Sequence, residues 1–380
     1  MKKISHRGRV TSSALRRACL SLVVILGFLV SSCNQGDSFY EELAFHYAPV
    51  HYQVTSDTNY KADLITRVDY DSNWTSTDNW ENLYSGDLSA WVYYSVVESC
   101  THWFIVYAFF HPRDWSDNKD VDDEEHENDM EGLLAVVRKG GSEFGQLLGI
   151  ITVAHLDFFS YTPKGSPLTD GEEDIDGELS WQIVDGSPHP KTIQETQGHP
   201  LKAWPFVSDF PGNDNQHVII YFPSRTTSMI PQSGNDHNVS YRLIDLTAAA
   251  NPNLWFFQLL DADPKLGREI TFATWGTLKG DKHGSCGHSG FRCASDRAHA
   301  PWGWDDHDDG PTFVGEMALS PAHLVDRYFD GLGDLRDKYL HNKYLEDLRD
   351  QGYGPDFLPR GWPAELNLAE LYSKLTTTCP

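Results

Sequence analysis

Residues 103–114 read WFIVYAFFHPRD, and residues 126–137 read HENDMEGLLAVV. In the first stretch eight apolar residues, Trp103 to Phe110, run into His111-Pro112, and Asp114 follows just beyond. In the second, acidic residues precede Gly132 and the apolar run Leu133–Val137. Unbroken apolar runs of this length fit strands covered on both faces. Asp129 and Glu131 are two apart, so they share one face of an extended chain. Three carboxylates (Asp114, Asp129, Glu131) and the His126 imidazole can thus converge at one sheet edge, with Asp114 arriving across an eleven-residue loop. Oxygen-rich sets of this kind hold hard cations, so calcium or magnesium is the expected ion.

These residues resemble the central region of the necrosis- and ethylene-inducing-peptide-like cytolysins. There an apolar strand ends in Phe-Pro-Lys-Asp, and a short loop leads to the heptapeptide Gly-His-Arg-His-Asp-Trp-Glu. Here His111–Asp114 stands for the first piece and His126–Glu131 for the second. The resemblance implies Asp114, His126, Asp129 and Glu131 as ligands of one divalent cation. It covers residues 100–160 best, where ITVAHLDFFSY, with His155, is similar to the family's later histidine-bearing strand. Gln197-Gly198-His199 is similar to the turn that follows. The chain departs from the pattern at Asn128, where the family has a second His, and at Met130, where it has Trp. An acidic insertion, Asp117–Glu125, lengthens the loop.

The N-terminus sets the expected compartment. Six basic residues (Lys2, Lys3, Arg7, Arg9, Arg16, Arg17) precede or flank the apolar run Ala18–Val30, which is too short to span a bilayer comfortably but fits a signal peptide. Val30-Ser31-Ser32-Cys33 looks like a bacterial lipobox, which would make Cys33 the lipidated first residue of the mature chain. Asn34 after it favours the outer membrane in a Gram-negative cell. Removing residues 1–32 leaves 24 Lys and Arg against 55 Asp and Glu. Such a surface repels nucleic acid and anionic headgroups unless cations intervene, so nucleic acid is excluded as a partner.

Four cysteines then remain in an oxidising setting: Cys100, Cys286, Cys293 and Cys379. The Gly-rich stretch around Cys286 and Cys293 suggests that these two pair locally, leaving Cys100 to tether Cys379. The alternative is a zinc site from His283, Cys286, His288 and Cys293, whose spacings fit no common ligand pair.

Short apolar runs at Trp91–Val97, Trp103–Phe110, Leu133–Val137, Leu147–Val153, Val218–Phe222, Leu254–Leu260 and Ile270–Trp275 are punctuated by Gly, Pro and Asp turns. They predict a mainly β fold, an antiparallel β-sandwich of the cytolysin-like kind, with a C-terminal helical extension. Helical spacing appears only from Ala322 to about Arg349, divided by Gly331 and Gly333. The expected organisation is a signal peptide at 1–32, a tether at 33–45, the sandwich with its metal site at 46–319, and the helical extension at 320–380. Ser160–Ser180 reads as a polar, acidic loop.

Two further acidic clusters stand out. TDGEEDIDGE, Thr169–Glu178, is close to an EF-hand loop, but the closing acid would fall at Ile183. WGWDDHDDG, Trp302–Gly310, sets acids and His307 beside two Trp, a mixture that suits a cation or a sugar ring. The other reading of it is an acidic turn with Trp302 and Trp304 in the core. There is no Gly-x-Ser-x-Gly elbow, P-loop or His-Glu-x-x-His. Two function classes remain. One is a cation-dependent, lipid-anchored surface protein that binds a glycan or glycolipid headgroup, with His155, His199 and Trp304 as candidate ligand-binding residues. The other is a metal-dependent hydrolase of envelope or extracellular polysaccharide, with His155 or His199 as base.

Overall fold

The computed structural model describes residues 38–72, 79–115, 126–155, 157–205, 217–248, 300–304, 306–310, 315–332, 335, 338–350, 352–354 and 368–379. The chain divides into two compact units, Met1–Leu43 and Ala44–Pro380. In the first, the described residues 38–43 are helical. The second contains fifteen strands among its described residues. They are β1 (Val50–Thr55), β2 (Trp91–Ser99), β3 (His102–Asp114), β4 (His126–Arg138) and β5 (Gln146–Ala154), then β6 (Asp157–Thr162), β7 (Thr169–Asp170) and β8 (Ile175–Glu178). There follow β9 (Trp181–Val184), β10 (Ser187–Gln194), β11 (Leu201–Ala203), β12 (His217–Pro223) and β13 (Val239–Asp245), and finally β14 (Phe329–Asp330) and β15 (Tyr339–Asn342).

The fold is mainly β, with 41% strand against 18% helix. One curled mixed sheet runs in the order β11-β10-β1-β12-β13-β2-β3-β4-β5-β6-β8, with β15 on β2 and β9 on β10. The expected antiparallel sandwich is therefore corrected. From β2 to β6 each strand pairs antiparallel with the next. The pairs β1–β10, β12–β13, β13–β2 and β6–β8 are parallel. These partners are brought in by longer connections, which leave strand direction free in a way that tight hairpins do not.

Residues 103–114 and 126–137 lie inside this sheet, within β3 and β4. From His102 to Arg113 every residue of β3 is buried, the consequence of an apolar run that must be covered on both faces. Gly132 of β4 allows a close approach there. A Cβ at that position would collide with the Tyr107 carbonyl and the Trp304 ring.

Two expectations change in detail. Ser160–Ser180 is not all loop, since it contains β7 and β8, and β7 pairs with β14. The C-terminal helical pattern resolves into helices Pro321–Tyr328 and Lys343–Asp350, with β15 between them pairing along Val97–Ser99 of β2. The first helix starts with Pro at a position that tolerates it, and Gly331, at φ 91°, turns the chain after β14. Among the cysteines, Cys100 and Cys379 form a disulfide across 279 positions of sequence, as the pairing argument expects. Cys286 and Cys293, the runs Leu254–Leu260 and Ile270–Trp275, and Cys33 with its signal segment lie outside the described residues.

Candidate metal centre

The β3–β4 hairpin positions the acidic residues. Its register pairs Phe109 with Glu131, His111 with Asp129, Arg113 with Glu127, and Asp114 with the backbone of His126. Asp129 and Glu131 are 5% and 4% exposed at this end of the sheet, and Asp114 is half-buried. Glu131 accepts the His155 amide through Oε1 at 2.8 Å, while its Oε2 is buried without a hydrogen-bond partner. Burial pushes the Glu131 carboxyl well above the usual range, and the charges of Asp129 and Asp114 push it further.

Behind this edge lies a buried network that the sequence reading did not find. His199 donates Nδ1–H to Asp129 Oδ2 at 2.6 Å and Nε2–H to Asp63 Oδ1 at 3.2 Å. Desolvation alone would lower the His199 pKa, but the two carboxylate hydrogen bonds outweigh it and raise it to about 9. Its ring stacks on His111 with centroids 3.8 Å apart. Burial pushes His111 well down, and the His199 charge adds to the effect, so the neutral and cationic rings lie face to face. Asp63 is held from several sides, by Trp115 Nε1 at 3.0 Å, Thr196 Oγ1 at 2.9 Å and the amides of Ser56 and Gln197. Gln194 Nε2 donates to the His199 carbonyl at 2.6 Å. A second buried pair, Arg113–Glu127 at 2.8 Å, sits beside it, with the guanidinium over the Trp80 ring.

Asp63 carries no sequence signal except that it is an acid beside the apolar Leu64-Ile65. Glu127 was legible in principle, because a hairpin aligning Asp114 with His126 sets Glu127 opposite Arg113.

The backbone is strained here. Among the described residues six non-glycine residues have positive φ, and four of them, Asn128, His155, Gln197 and His199, belong to this end of the sheet. Such conformations persist where surrounding contacts over-determine them, and they concentrate at functional sites. Gly198 fits between: a Cβ there would sit 3.0 Å from the His155 ring and 3.9 Å from Asp114 Oδ2.

The candidate ligand-binding residues fall in different surroundings. The His155 side chain is 57% exposed, with Nδ1 3.3 Å from Glu131 Oε1. His199 is wholly buried and bonded to two carboxylates. Trp304 is 2% exposed and points Nε1 at the Met130 carbonyl, and Trp302 is buried too, so both belong to the core. Asp129 and Asp114 lie near enough to add charge to Glu131, one Glu131 oxygen is buried without a donor, and His199 and the His155 amide hold Asp129 and Glu131, while the side chain of His126 lies outside the described residues. That donor chemistry fits a hard divalent cation.

No family model matches the chain, and no curated protein matches it. Solved structures resemble part of it. One described as a toxin fold for microbial attack and plant defense is 12% identical over 31% of this chain and 46% of its own, with a TM-score of 0.21. Necrosis and Ethylene inducing Protein 2 from the causal agent of cocoa's Witches Broom disease is 15% identical over 44% of this chain and 70% of its own, at 0.26. NLPPya in complex with glucosamine is 16% identical over 30% and 44%, at 0.20. The chain thus spans less than half the length of the first and third of these structures.

Proposed function

We propose that this chain is an exported, lipid-anchored surface protein whose divalent cation, held by Asp114, His126, Asp129 and Glu131, binds a glycan or glycolipid headgroup. The observation that carries the reading is Glu131, buried with one oxygen unpartnered while Asp129 and Asp114 add like charge. Confining carboxylates this way is costly without a counter-charge. A calcium or magnesium ion supplies that charge, together with coordination positions that sugar hydroxyls can take. The chain's own residues orient the ligands: His199 fixes Asp129, and the His155 amide fixes one Glu131 oxygen. The exposed His155 imidazole stands beside Glu131, where it can hydrogen-bond a hydroxyl. Lipidation of Cys33 would hold the protein on the cell envelope, at the outer membrane in a Gram-negative cell, and the balance of 55 acidic against 30 basic residues disfavours nucleic acid.

The same exposed His155 is what favours the second reading, a metal-dependent polysaccharide hydrolase, because it is an imidazole beside Glu131 that is open to solvent and could serve as base. Incubating the mature protein with a glycan panel, with calcium or with chelator, tests both. Calcium-dependent retention without new reducing ends is expected. Equal retention in chelator contradicts the cation-bound glycan, and new reducing ends favour the hydrolase.

A further inference from the structure

Two acidic stretches distant in sequence meet in space. Glu173, between β7 and β8, and Asp306, Asp308 and Asp309, just after Trp304, each bring a carboxylate oxygen within 4.8 Å of the others. Glu173 and Asp306 are buried, whereas Asp308 and Asp309 are exposed. The buried half is firmly built. Ser160 Oγ donates to Glu173 Oε1 at 2.9 Å, and the Tyr328 hydroxyl donates to Asp306 Oδ2 at 2.5 Å. The amides of Phe158 and Asp308 reach Asp306 Oδ1 at 3.2 and 3.4 Å, and the Asp174 amide reaches Asp309 Oδ2 at 3.2 Å.

The second oxygen of Glu173 is different. Glu173 is 1% exposed, and Oε2 is buried without any hydrogen-bond partner. It lies on the cluster side, 3.1 Å from where a Cβ on Gly310 would sit. An acceptor buried without a donor costs about 1–3 kcal/mol, and more when charged. The neighbouring carboxylates of Asp306, Asp308 and Asp309 deepen that cost. A cation in the cluster would answer both the missing donor and the crowded charge.

We propose that Glu173, Asp306, Asp308 and Asp309 form a second divalent-cation site, of the oxygen-only, calcium-preferring class, separate from the Asp114–Glu131 set. Four carboxylates from two irregular segments suit calcium, which takes six to eight oxygens in flexible geometry. The exposed pair admits the ion and the buried pair anchors it. Once bound, the ion joins the β7–β8 segment to the chain leading into the C-terminal helices. Glu173 already touches those helices through its amide, which donates to the Tyr328 carbonyl at 3.3 Å.

The test is calcium stoichiometry of the full mature chain by equilibrium dialysis, with terbium luminescence as a site-specific readout excited through nearby aromatic rings. Three proteins are compared with the wild type: Asp308→Asn/Asp309→Asn, whose changes are exposed and leave the core intact, Glu173→Gln, and Glu131→Gln. The first two should each weaken one calcium site at least about tenfold and remove most of the terbium emission, since ligand charge count sets affinity in such sites. Glu131→Gln should leave the terbium signal of this site unchanged. Unchanged stoichiometry and emission in both cluster variants, or loss only with Glu131→Gln, would overturn the second site. Because each variant addresses one cluster, failure of this inference and failure of the hairpin site give different patterns.

Discussion

His199 stacks on His111 at 3.8 Å, with the ring planes 6° from parallel, while its two nitrogens bridge Asp129 and Asp63. One imidazole thus satisfies two buried carboxylates and connects the proposed cation ligand Asp129 to the interior. Removing a single member of a buried charged network leaves the others uncompensated, which costs about 3–5 kcal/mol. His199→Ala should lower unfolding stability by that order, read from the denaturant midpoint. A loss under about 1 kcal/mol, the level of an exposed pair, would contradict this role.

Gly132 is needed for its missing side chain, since a methyl would strike the Tyr107 carbonyl and the Trp304 ring. Overpacking against backbone is expected to cost about 1–3 kcal/mol or more, so Gly132→Ala should unfold at markedly lower urea. Equal midpoints for this variant and the wild type would show that Trp304 does not pack as described.

The Cys100–Cys379 disulfide closes most of the described chain into one loop. By the chain-entropy argument a loop this long gives about 5 kcal/mol, with native strain subtracting from it. Cys100→Ser should therefore melt well below the oxidised wild type, and reductant should bring the wild type down to match. Insensitivity of the wild type to reductant would count against the bridge.

His51 supplies a pH test at a residue that is not itself a proposed cation ligand. It is fully buried between Thr192 and Gln53 and stacked on Phe109. Burial lowers its pKa from 6.5 to about 3. The folded pKa lies below the unfolded one, so the neutral ring's contribution is complete above pH 6.5 and is lost as pH falls from there towards 3. At pH 5 the loss is about 2 kcal/mol. His51→Asn should then cost about 2 kcal/mol more at pH 7 than at pH 5, measured by chemical unfolding. The same cost at both pH values would mean that His51 does not resist protonation.

What could be read from the sequence follows from how local each signal is. β3 and β4 were legible because Trp103–Phe110 and Leu133–Val137 are unbroken apolar runs next to each other in the chain. The Cys100–Cys379 pair was legible by setting aside Cys286 and Cys293 as an expected local pair. The mixed sheet was not, because β1–β10 and β13–β2 join segments whose relative direction no local pattern encodes. β15 was hidden because Tyr339 also fits a helical spacing, and only pairing with Val97–Ser99 decides between the two. At the site, Asp129 and Glu131 were visible from their spacing, whereas Asp63 reaches His199 across 136 positions. Glu173 and Asp309 were each visible only as members of separate acidic runs, and their meeting is a property of the folded chain.

The central claim is a cation held by Asp114, His126, Asp129 and Glu131, and the most direct test is calcium binding by wild type and Glu131→Gln. This substitution keeps the shape of a side chain whose Oε2 has no partner to lose. It should remove one bound calcium per chain and abolish the corresponding rise in melting temperature. That rise corresponds to about 2.7 kcal/mol when calcium is a hundredfold above its dissociation constant. Wild type and Glu131→Gln binding the same number of calcium ions, with the same melting shift, would contradict the account.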